Sequence, residues 1–276
     1  MPVREFNAWF FHGTSALPAA CIVVDGFRLL SESLRNFGPG YIGGGIYVTA
    51  SLETAARFSS EVGYVLRVRL TPGTRILRLN GQFDQKVIDS LRREFGAGVL
   101  CSEFDRALPQ NKKLRRVELI NLFNYLWEGE LFGMFSDDHR QVRRHLAKSQ
   151  YHGMGDTESS IGVVIFNPSR LILDSVLRWS PSQQGLTAAD PVELLDQAAC
   201  VFCNQIQWTL NRQLFLSQTE CLPADWVREE IEKLNALRRE LPRWQRCLQR
   251  FAERHHLPTN NSNFRRAMET IPLPIQ

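Results

Sequence analysis

Residues 43–58, GGGIYVTASLETAARF, contain a glycine turn, a short strand and the start of a helix in immediate succession. Three consecutive glycines lack side chains and permit backbone angles that are closed to other residues. Residues 46–48, Ile-Tyr-Val, favour an extended strand. Ser51 is a good helix N-cap, and the acidic Glu53 suits the positive end of the helix dipole. The pattern therefore predicts a strand-to-helix turn that begins with bare backbone.

Two aromatic side chains, Tyr47 and Phe58, stand eleven residues apart across this turn. Two rings that face each other across a gap can hold a flat heterocycle between them. The alternative hypothesis is that Tyr47 caps a hydrophobic core and that Phe58 is part of that core. This stretch alone leaves both interpretations open.

A second stretch, residues 9–28, combines a buried strand with a polar turn. The paired phenylalanines at 10–11 favour the strand, and His-Gly-Thr at 12–14 ends it. Residues 16–24 predict a short helix that Gly26 terminates. A lone histidine at a strand end is more often structural than catalytic, but here a glycine and a hydroxyl accompany it.

Residues 10–30, FFHGTSALPAACIVVDGFRLL, followed by residues 37–59, FGPGYIGGGIYVTASLETAARFS, resemble the ADP-ribosyltransferase superfamily. The chain is most similar to the diphtheria-toxin-like, poly(ADP-ribose)-polymerase-related branch, which has characteristic His and Tyr positions. That branch carries His-Gly-Ser/Thr on its first strand, then a helix and a Gly-hydrophobic-Arg segment. Gly-x-Gly-Ile-Tyr follows, with a second aromatic residue on the next helix. The resemblance covers roughly residues 9–59, and the spacing from Tyr47 to Phe58 matches without a gap.

The resemblance implies that NAD is a co-substrate and that the reaction needs no metal. The NAD contacts it implies are His12, Gly13, Thr14, Arg28, Gly45, Tyr47 and Phe58. His12 would hold the adenosine-side ribose, the Gly13 backbone the nicotinamide carboxamide, and Tyr47 and Phe58 the two faces of the nicotinamide ring. Arg28 would lie near the adenosine or the pyrophosphate. Breaking the nicotinamide–ribose bond passes through an oxocarbenium-like state, so such a site must hold the leaving group and stabilise a developing positive charge.

The sequence departs from this family at its third catalytic position, a glutamate just before a central strand. The matching strand here is residues 162–171, GVVIFNPSRL, and Gly162 falls where the glutamate is expected. Its absence argues against elongation to poly(ADP-ribose), and it leaves mono-transfer or NAD binding without turnover. Glu158, in a polar loop four residues upstream, is a possible substitute carboxylate or an ordinary solvated acid. The expected catalytic residues are therefore His12, Tyr47 and Glu158.

The strand and helix patterns predict an α+β fold, and the resemblance implies an ADP-ribosyltransferase-type split β-sheet core. Residues 63–70 alternate apolar and basic side chains and predict a half-exposed strand, and residues 75–79 predict another. Helical spacing over about residues 83–150 predicts an insertion into this core. We expect the catalytic domain to span residues 1–180.

The C-terminal part of the chain, residues 186–276, is expected to be a domain composed only of helices. Asp190-Pro191 has good helix-start chemistry, and Pro242 is expected to start or kink the last long helix. The polar stretch 180–185 is the expected boundary. No motif in this region carries chemistry, so it could bind a target, an inhibitor protein or a twin subunit, or it could brace the catalytic part.

The composition of the chain limits which partners and cofactors it can have. The chain has 276 residues and a net charge of +4, which permits a nucleic-acid partner without requiring one. Neither a signal-peptide pattern nor an apolar run of membrane-spanning length is apparent, so we expect a cytoplasmic protein without a membrane partner. Six scattered cysteines, with a lone CxxC at 200–203, indicate reduced thiols rather than a zinc site.

Two basic runs lie in the predicted insertion, at residues 111–116 and 139–148. On a helix Arg140, Arg144 and Lys148 share one face. Such a face suits phosphates or an acidic protein, but charge runs are usually solvated surface.

Three functions are compatible with these observations. The first is an NAD-dependent mono-ADP-ribosyltransferase, similar to a toxin or effector, that releases nicotinamide and modifies a macromolecular acceptor, either protein or nucleic acid. The second is a catalytically inactive module that binds NAD or ADP-ribose. The third is RNA 2′-phosphotransferase chemistry, which normally needs several arginines at its phosphate site. Arg28 is the one arginine that the resemblance places there.

Overall fold

The computed structural model describes residues 9–29, 45–59, 63–78, 150–155, 162–180, 185–219 and 222–270. These residues form an α+β structure with mostly antiparallel sheets and several helices, which confirms the predicted class. The insertion predicted at about 83–150 lies outside the described residues, apart from Gln150. Among the described helices, none is both long and apolar enough to cross a lipid bilayer.

The elements are numbered in chain order over the described residues. The strands are β1 (Phe10–Thr14), β2 (Ile46–Val48), β3 (Gly63–Leu70), β4 (Ile76–Arg78), β5 (Gly153–Gly155), β6 (Val163–Ile165), β7 (Leu171–Ser180) and β8 (Gly185–Ala188). The helices are α1 (Ala16–Asp25), α2 (Leu52–Arg57), α3 (Pro191–Gln218), α4 (Ala224–Arg254) and α5 (Ser262–Glu269). One four-stranded sheet has the order β1-β3-β7-β8, and the other has the order β2-β6-β5-β4.

The chain forms two compact units, each assembled from separate segments. The described part of the first unit is residues 9–11, 45–54, 68–78, 150–155 and 162–172. The described part of the second unit is residues 12–29, 55–59, 63–67, 173–180, 185–219 and 222–270. The domain division expected from the sequence, 1–180 and 186–276, stays a prediction.

In the first unit, β6 is the centre of the second sheet because it pairs antiparallel with both β2 and β5. Its three residues are fully buried. β4 then adds to β5 in parallel register, with Ile76 opposite Gly153. The strands predicted around residues 46–48 and 75–79 are therefore present, the second as Ile76–Arg78.

In the second unit, α1 packs against α3 and α4. Asp190 caps the start of helix α3 as expected, because its carboxylate accepts a hydrogen bond from the Val192 N–H at 3.1 Å. The residues that α3 buries recur at helical spacing and include Leu194, Leu195, Ala198 and Phe202. The C-terminal helices thus provide the apolar surface that covers α1.

Strand β3 is more buried than the half-exposed strand predicted from its sequence. Among its residues Arg69 alone is exposed. Tyr64 is completely buried, and its hydroxyl donates to Gln197 Oε1 at 2.9 Å. Burial raises the pKa of Tyr64 to about 12. The alternation in the sequence is therefore a poor guide to exposure here, because both faces of the strand are covered.

Three further predictions are wrong in detail. The strand predicted at 162–171 is interrupted, because Pro168 lacks an N–H and starts a 3₁₀ turn, Pro168–Arg170, that the Asn167 side chain caps. The region expected to be only helical includes β8, which pairs antiparallel with β7 from Ser180–Gly185 onward. Pro242 does not start a helix, because α4 continues through it, and a kink at Pro242 stays a prediction.

A charged cluster attaches α1 to α4. Asp25, the last residue of α1, accepts hydrogen bonds from Arg243 at 3.1 Å, Arg250 at 2.7 Å and the Cys247 thiol at 3.1 Å. Arg254 donates to the carbonyl of Val23 at 2.6 Å, at the negative end of the α1 dipole. Burial opposes ionisation of Asp25, but these hydrogen bonds and charges outweigh it and lower the pKa of its carboxyl.

Replacing this carboxylate is expected to destabilise the protein. The change Asp25→Asn removes charge-assisted hydrogen bonds, and we expect the free energy of unfolding at neutral pH to fall by about 1.5–3 kcal/mol. A carboxyl whose pKa is lowered by folding stabilises the fold above its unfolded pKa, and this stabilisation is lost as the pH falls. The difference in the free energy of unfolding between the wild type and Asp25→Asn, measured by urea denaturation, should therefore become smaller below about pH 4.

The matched control is Asp225→Asn, because the Asp225 side chain is 95% exposed in its pair with Arg228. Its effect should stay within about 0.5 kcal/mol at every pH. Equal effects of the two changes would contradict a structural role for the Asp25 cluster.

Candidate functional site

The segment His12-Gly13-Thr14 lies at the end of β1, and each of its residues is partly exposed. At Gly13 the strand touches the backbone of α2 and of the turn that follows it. A Cβ atom at Gly13 would lie 1.8 Å from the Ala55 carbonyl oxygen and 3.1 Å from the Ser59 nitrogen. Glycine is required here by close packing, because a side chain would force the strand and the helix apart.

This close approach places Phe58 next to the His-Gly-Thr segment. Phe58 lies in the chain between the two residues that Gly13 touches, and its N–H donates to the Ala55 carbonyl at 3.1 Å. Its side chain is 70% exposed, so the hypothesis that Phe58 belongs to the core is wrong. The structure therefore brings together two of the segments that the sequence selected, and it leaves a large aromatic ring in solvent beside them.

The His12 imidazole is positioned by an aromatic neighbour. Its ring meets the ring of Phe27 edge-on, with the centroids 5.7 Å apart and the planes at 80°. Phe27 is buried and follows α1 directly, whereas the next residue, Arg28, is exposed. Sequence reasoning missed Phe27, although it is the hydrophobic residue of the Gly-hydrophobic-Arg segment.

Tyr47 and Gly45 belong to the first unit. Tyr47 lies on β2 opposite Val164 of β6 and is partly exposed, between the buried Ile46 and Val48. Gly45 packs against Val164 and Ile165. Ser51 caps α2 as predicted, since its hydroxyl accepts from the Thr54 N–H at 3.1 Å.

A backbone bridge ties this strand to the start of β1 within the first unit. The Phe11 N–H donates to the Thr49 carbonyl at 2.8 Å, and the Thr49 N–H donates back to the Phe11 carbonyl at 2.9 Å. Thr49 follows Tyr47 by two residues, and Phe11 immediately precedes His12. The bridge therefore anchors both chain segments that lead to the predicted histidine and tyrosine.

The position expected to hold a glutamate is closed to any side chain. Gly162 has φ +82°, and a Cβ atom there would lie 2.2 Å from the Val48 carbonyl oxygen. Both the backbone angle and the close approach favour glycine. A catalytic carboxylate at residue 162 is thus incompatible with the pairing of β2 and β6, and Glu158 lies outside the described residues.

The described side chains of these segments provide groups for stacking and hydrogen bonding. The described ranges contain no group of three or more His, Cys, Asp or Glu side chains that could hold a metal ion. In the second unit, an exposed phenylalanine, an oriented imidazole and a partly exposed glycine backbone provide a stacking surface and hydrogen-bond groups. In the first unit, Tyr47 provides a second partly exposed aromatic ring.

Comparison with known proteins adds no relative: no family model, no curated protein and no solved structure matches the chain.

The change Gly13→Ala is expected to push β1 and α2 apart. Because the added methyl group would overlap the Ala55 carbonyl, we expect the free energy of unfolding to fall by about 1–3 kcal/mol in chemical denaturation. Ser15→Ala is the control, because Ser15 precedes α1 and its side chain makes no capping hydrogen bond. An unfolding midpoint for Gly13→Ala equal to that of the control would contradict the close approach.

The change Gly162→Glu should not create a working carboxylate. It forces a side chain against the Val48 carbonyl at a positive φ, so we expect destabilisation by roughly 2–5 kcal/mol. Thermal unfolding of the purified variant measures this directly. A variant as stable as the wild type would show that this position is open to a side chain.

Proposed function

We propose that this chain is an NAD-dependent mono-ADP-ribosyltransferase with the split β-sheet core of that superfamily. The proposal rests on the resemblance of residues 10–30 and 37–59 to the donor-binding half of those enzymes. The observation that carries it furthest is the exposed Phe58 ring beside the His-Gly-Thr segment. Because this ring is 70% exposed, its face is available to stack on a flat heterocycle such as nicotinamide.

In the proposed reaction, the bond between the nicotinamide nitrogen and C1′ of the ribose breaks, and nicotinamide leaves with the bonding electron pair. A nucleophile of the acceptor then forms a bond to C1′ and loses its proton. Phe58 and Tyr47 would stack on the nicotinamide ring, and His12 would hold the adenosine-side ribose. Stacking and hydrogen bonding would orient the leaving group in line with the acceptor.

The glycine at the third catalytic position, Gly162, favours transfer of a single ADP-ribose over growth of a polymer. In the superfamily the glutamate expected at this position holds the ribose 2′-hydroxyl and activates the acceptor, and at Gly162 its Cβ atom would lie 2.2 Å from the Val48 carbonyl oxygen. The acceptor is proposed to be a macromolecule, either protein or nucleic acid, in the cytoplasm. A toxin-like or effector-like role agrees with this reaction.

Gly162 also favours a second candidate function, a module that binds NAD or ADP-ribose without catalysis. If no other carboxylate, such as that of Glu158, completes the site, the chain would bind NAD or ADP-ribose without turnover. Measuring nicotinamide release and NAD binding on the same protein separates these two functions. Release supports the transferase, and binding without release supports the module.

The test of the proposal is the change Phe58→Ala. Because the side chain is 70% exposed, stability should change by less than about 1 kcal/mol. The loss of one stacking partner, worth about 1–3 kcal/mol, should reduce kcat/KM for nicotinamide release by roughly 5- to 150-fold.

The matched control is Trp208→Ala, which removes an aromatic side chain that is 44% exposed on α3 of the same unit. This variant should release nicotinamide at the wild-type rate. Wild-type kinetics in Phe58→Ala, or equal losses in both variants, would overturn the assignment of Phe58.

A further inference from the structure

Basic side chains converge at one end of the second sheet, within the first unit. Strands β4 and β5 are parallel, and β6 is antiparallel to β5. The starts of β4 and β5 and the end of β6 therefore lie at the same end of the sheet. Arg75 immediately precedes β4, His152 immediately precedes β5, and Arg170 ends the 3₁₀ turn that follows β6. The topology therefore brings three basic residues from different parts of the sequence to one end of the sheet.

His152 is held in place by hydrogen bonds on both sides. Its N–H donates to the Arg75 carbonyl at 2.8 Å, and its carbonyl accepts from the Phe166 N–H at 2.8 Å. The Arg75 N–H donates to His152 Nδ1 at 3.0 Å. Because Nδ1 accepts this bond, the proton of the neutral imidazole lies on Nε2, which remains a donor.

The two guanidinium groups near His152 have no carboxylate partner among the described residues. Arg75 donates to the Gln150 side-chain oxygen at 2.9 Å and lies 4.9 Å over the Tyr151 ring. Arg170 has a buried Nε atom without a hydrogen-bond partner in the described part of the chain. Burial lowers the pKa of His152, and the charges of Arg170 and Arg75 lower it further. Positive charge therefore accumulates at this end of the sheet.

Several other partly buried arginines in the described part of the chain are neutralised by acids. Ion pairs join Arg67 to Asp174 at 2.6 Å and Arg178 to Glu193 at 2.7 Å. Two arginines and an imidazole without such a partner are an unusual arrangement for a structural role, because close positive charges repel each other. An anion would relieve this repulsion.

We propose that Arg75, His152 and Arg170 form a binding site for a phosphate group. The planar guanidinium forks suit the oxygen atoms of a phosphate, and Nε2–H of His152 adds a third donor. The phosphate of a nucleotide, of a nucleic acid or in free solution would present the same chemistry. The site lies in the first unit and uses none of the residues assigned to NAD transfer, so it does not depend on the proposed function.

The test is an NMR titration of the His152 imidazole in the full chain, with and without millimolar inorganic phosphate at constant ionic strength. A bound anion favours the imidazolium, so phosphate should raise the pKa of His152. His152→Gln identifies the resonance by removing it. A His152 pKa that stays unchanged with inorganic phosphate, with NAD and with an oligonucleotide would overturn the proposal.

Arg170→Gln should weaken phosphate binding by roughly tenfold or more, as expected for the loss of one charge-assisted pair. It should also raise the His152 pKa in the absence of phosphate, because one positive charge is removed. The matched control is Arg228→Gln, which removes an exposed arginine of α4 that pairs with Asp225. A loss of phosphate binding in Arg228→Gln equal to that in Arg170→Gln would contradict a specific site.

Parallel titrations with NAD and with a single-stranded oligonucleotide identify the source of the phosphate. A response to NAD alone would assign the site to the donor, and a response to the oligonucleotide alone would assign it to a nucleic acid. An equal response to inorganic phosphate would assign it to the free anion. No response in any titration would overturn the proposal, whether or not the protein releases nicotinamide.

Discussion

The close approach of β1 and α2 at Gly13 is the constraint on which the candidate site depends. Since a single added carbon would overlap the Ala55 carbonyl, the two backbones pack with no side chain between them. This contact sets the distance between the His-Gly-Thr segment and the turn that carries Phe58. The exposed phenylalanine lies beside the segment because this packing holds it there, and its own burial contributes little.

The C-terminal helices take part in the same arrangement. Helix α1 continues directly from the His-Gly-Thr segment, and α3 and α4 cover it. The Asp25 cluster then fixes the end of α1 just before Phe27, the residue that meets the His12 ring. The helical region thus supports the His-Gly-Thr segment of its own unit, as one of the alternatives from the sequence has it.

Local chemistry was sufficient to predict much of the secondary structure. The strand at β1, the helix that ends at Gly26, the cap at Ser51 and the start of α3 all follow from short-range patterns. The predictions that failed depend on contacts between residues that are far apart in the sequence or on elements too short to show a pattern. The contact of Gly13 with Ala55 and the pairing of Asp25 with Arg243 join residues far apart in the chain, and β8 is too short to show alternation.

We propose that the chain transfers ADP-ribose from NAD to a macromolecule. The most direct measurement incubates the purified protein with a cell lysate and NAD labelled in its adenosine half, then separates protein from nucleic acid. We expect nicotinamide release together with label in one of the two fractions. Release of nicotinamide without label in either fraction, or NAD binding without any release, would contradict it.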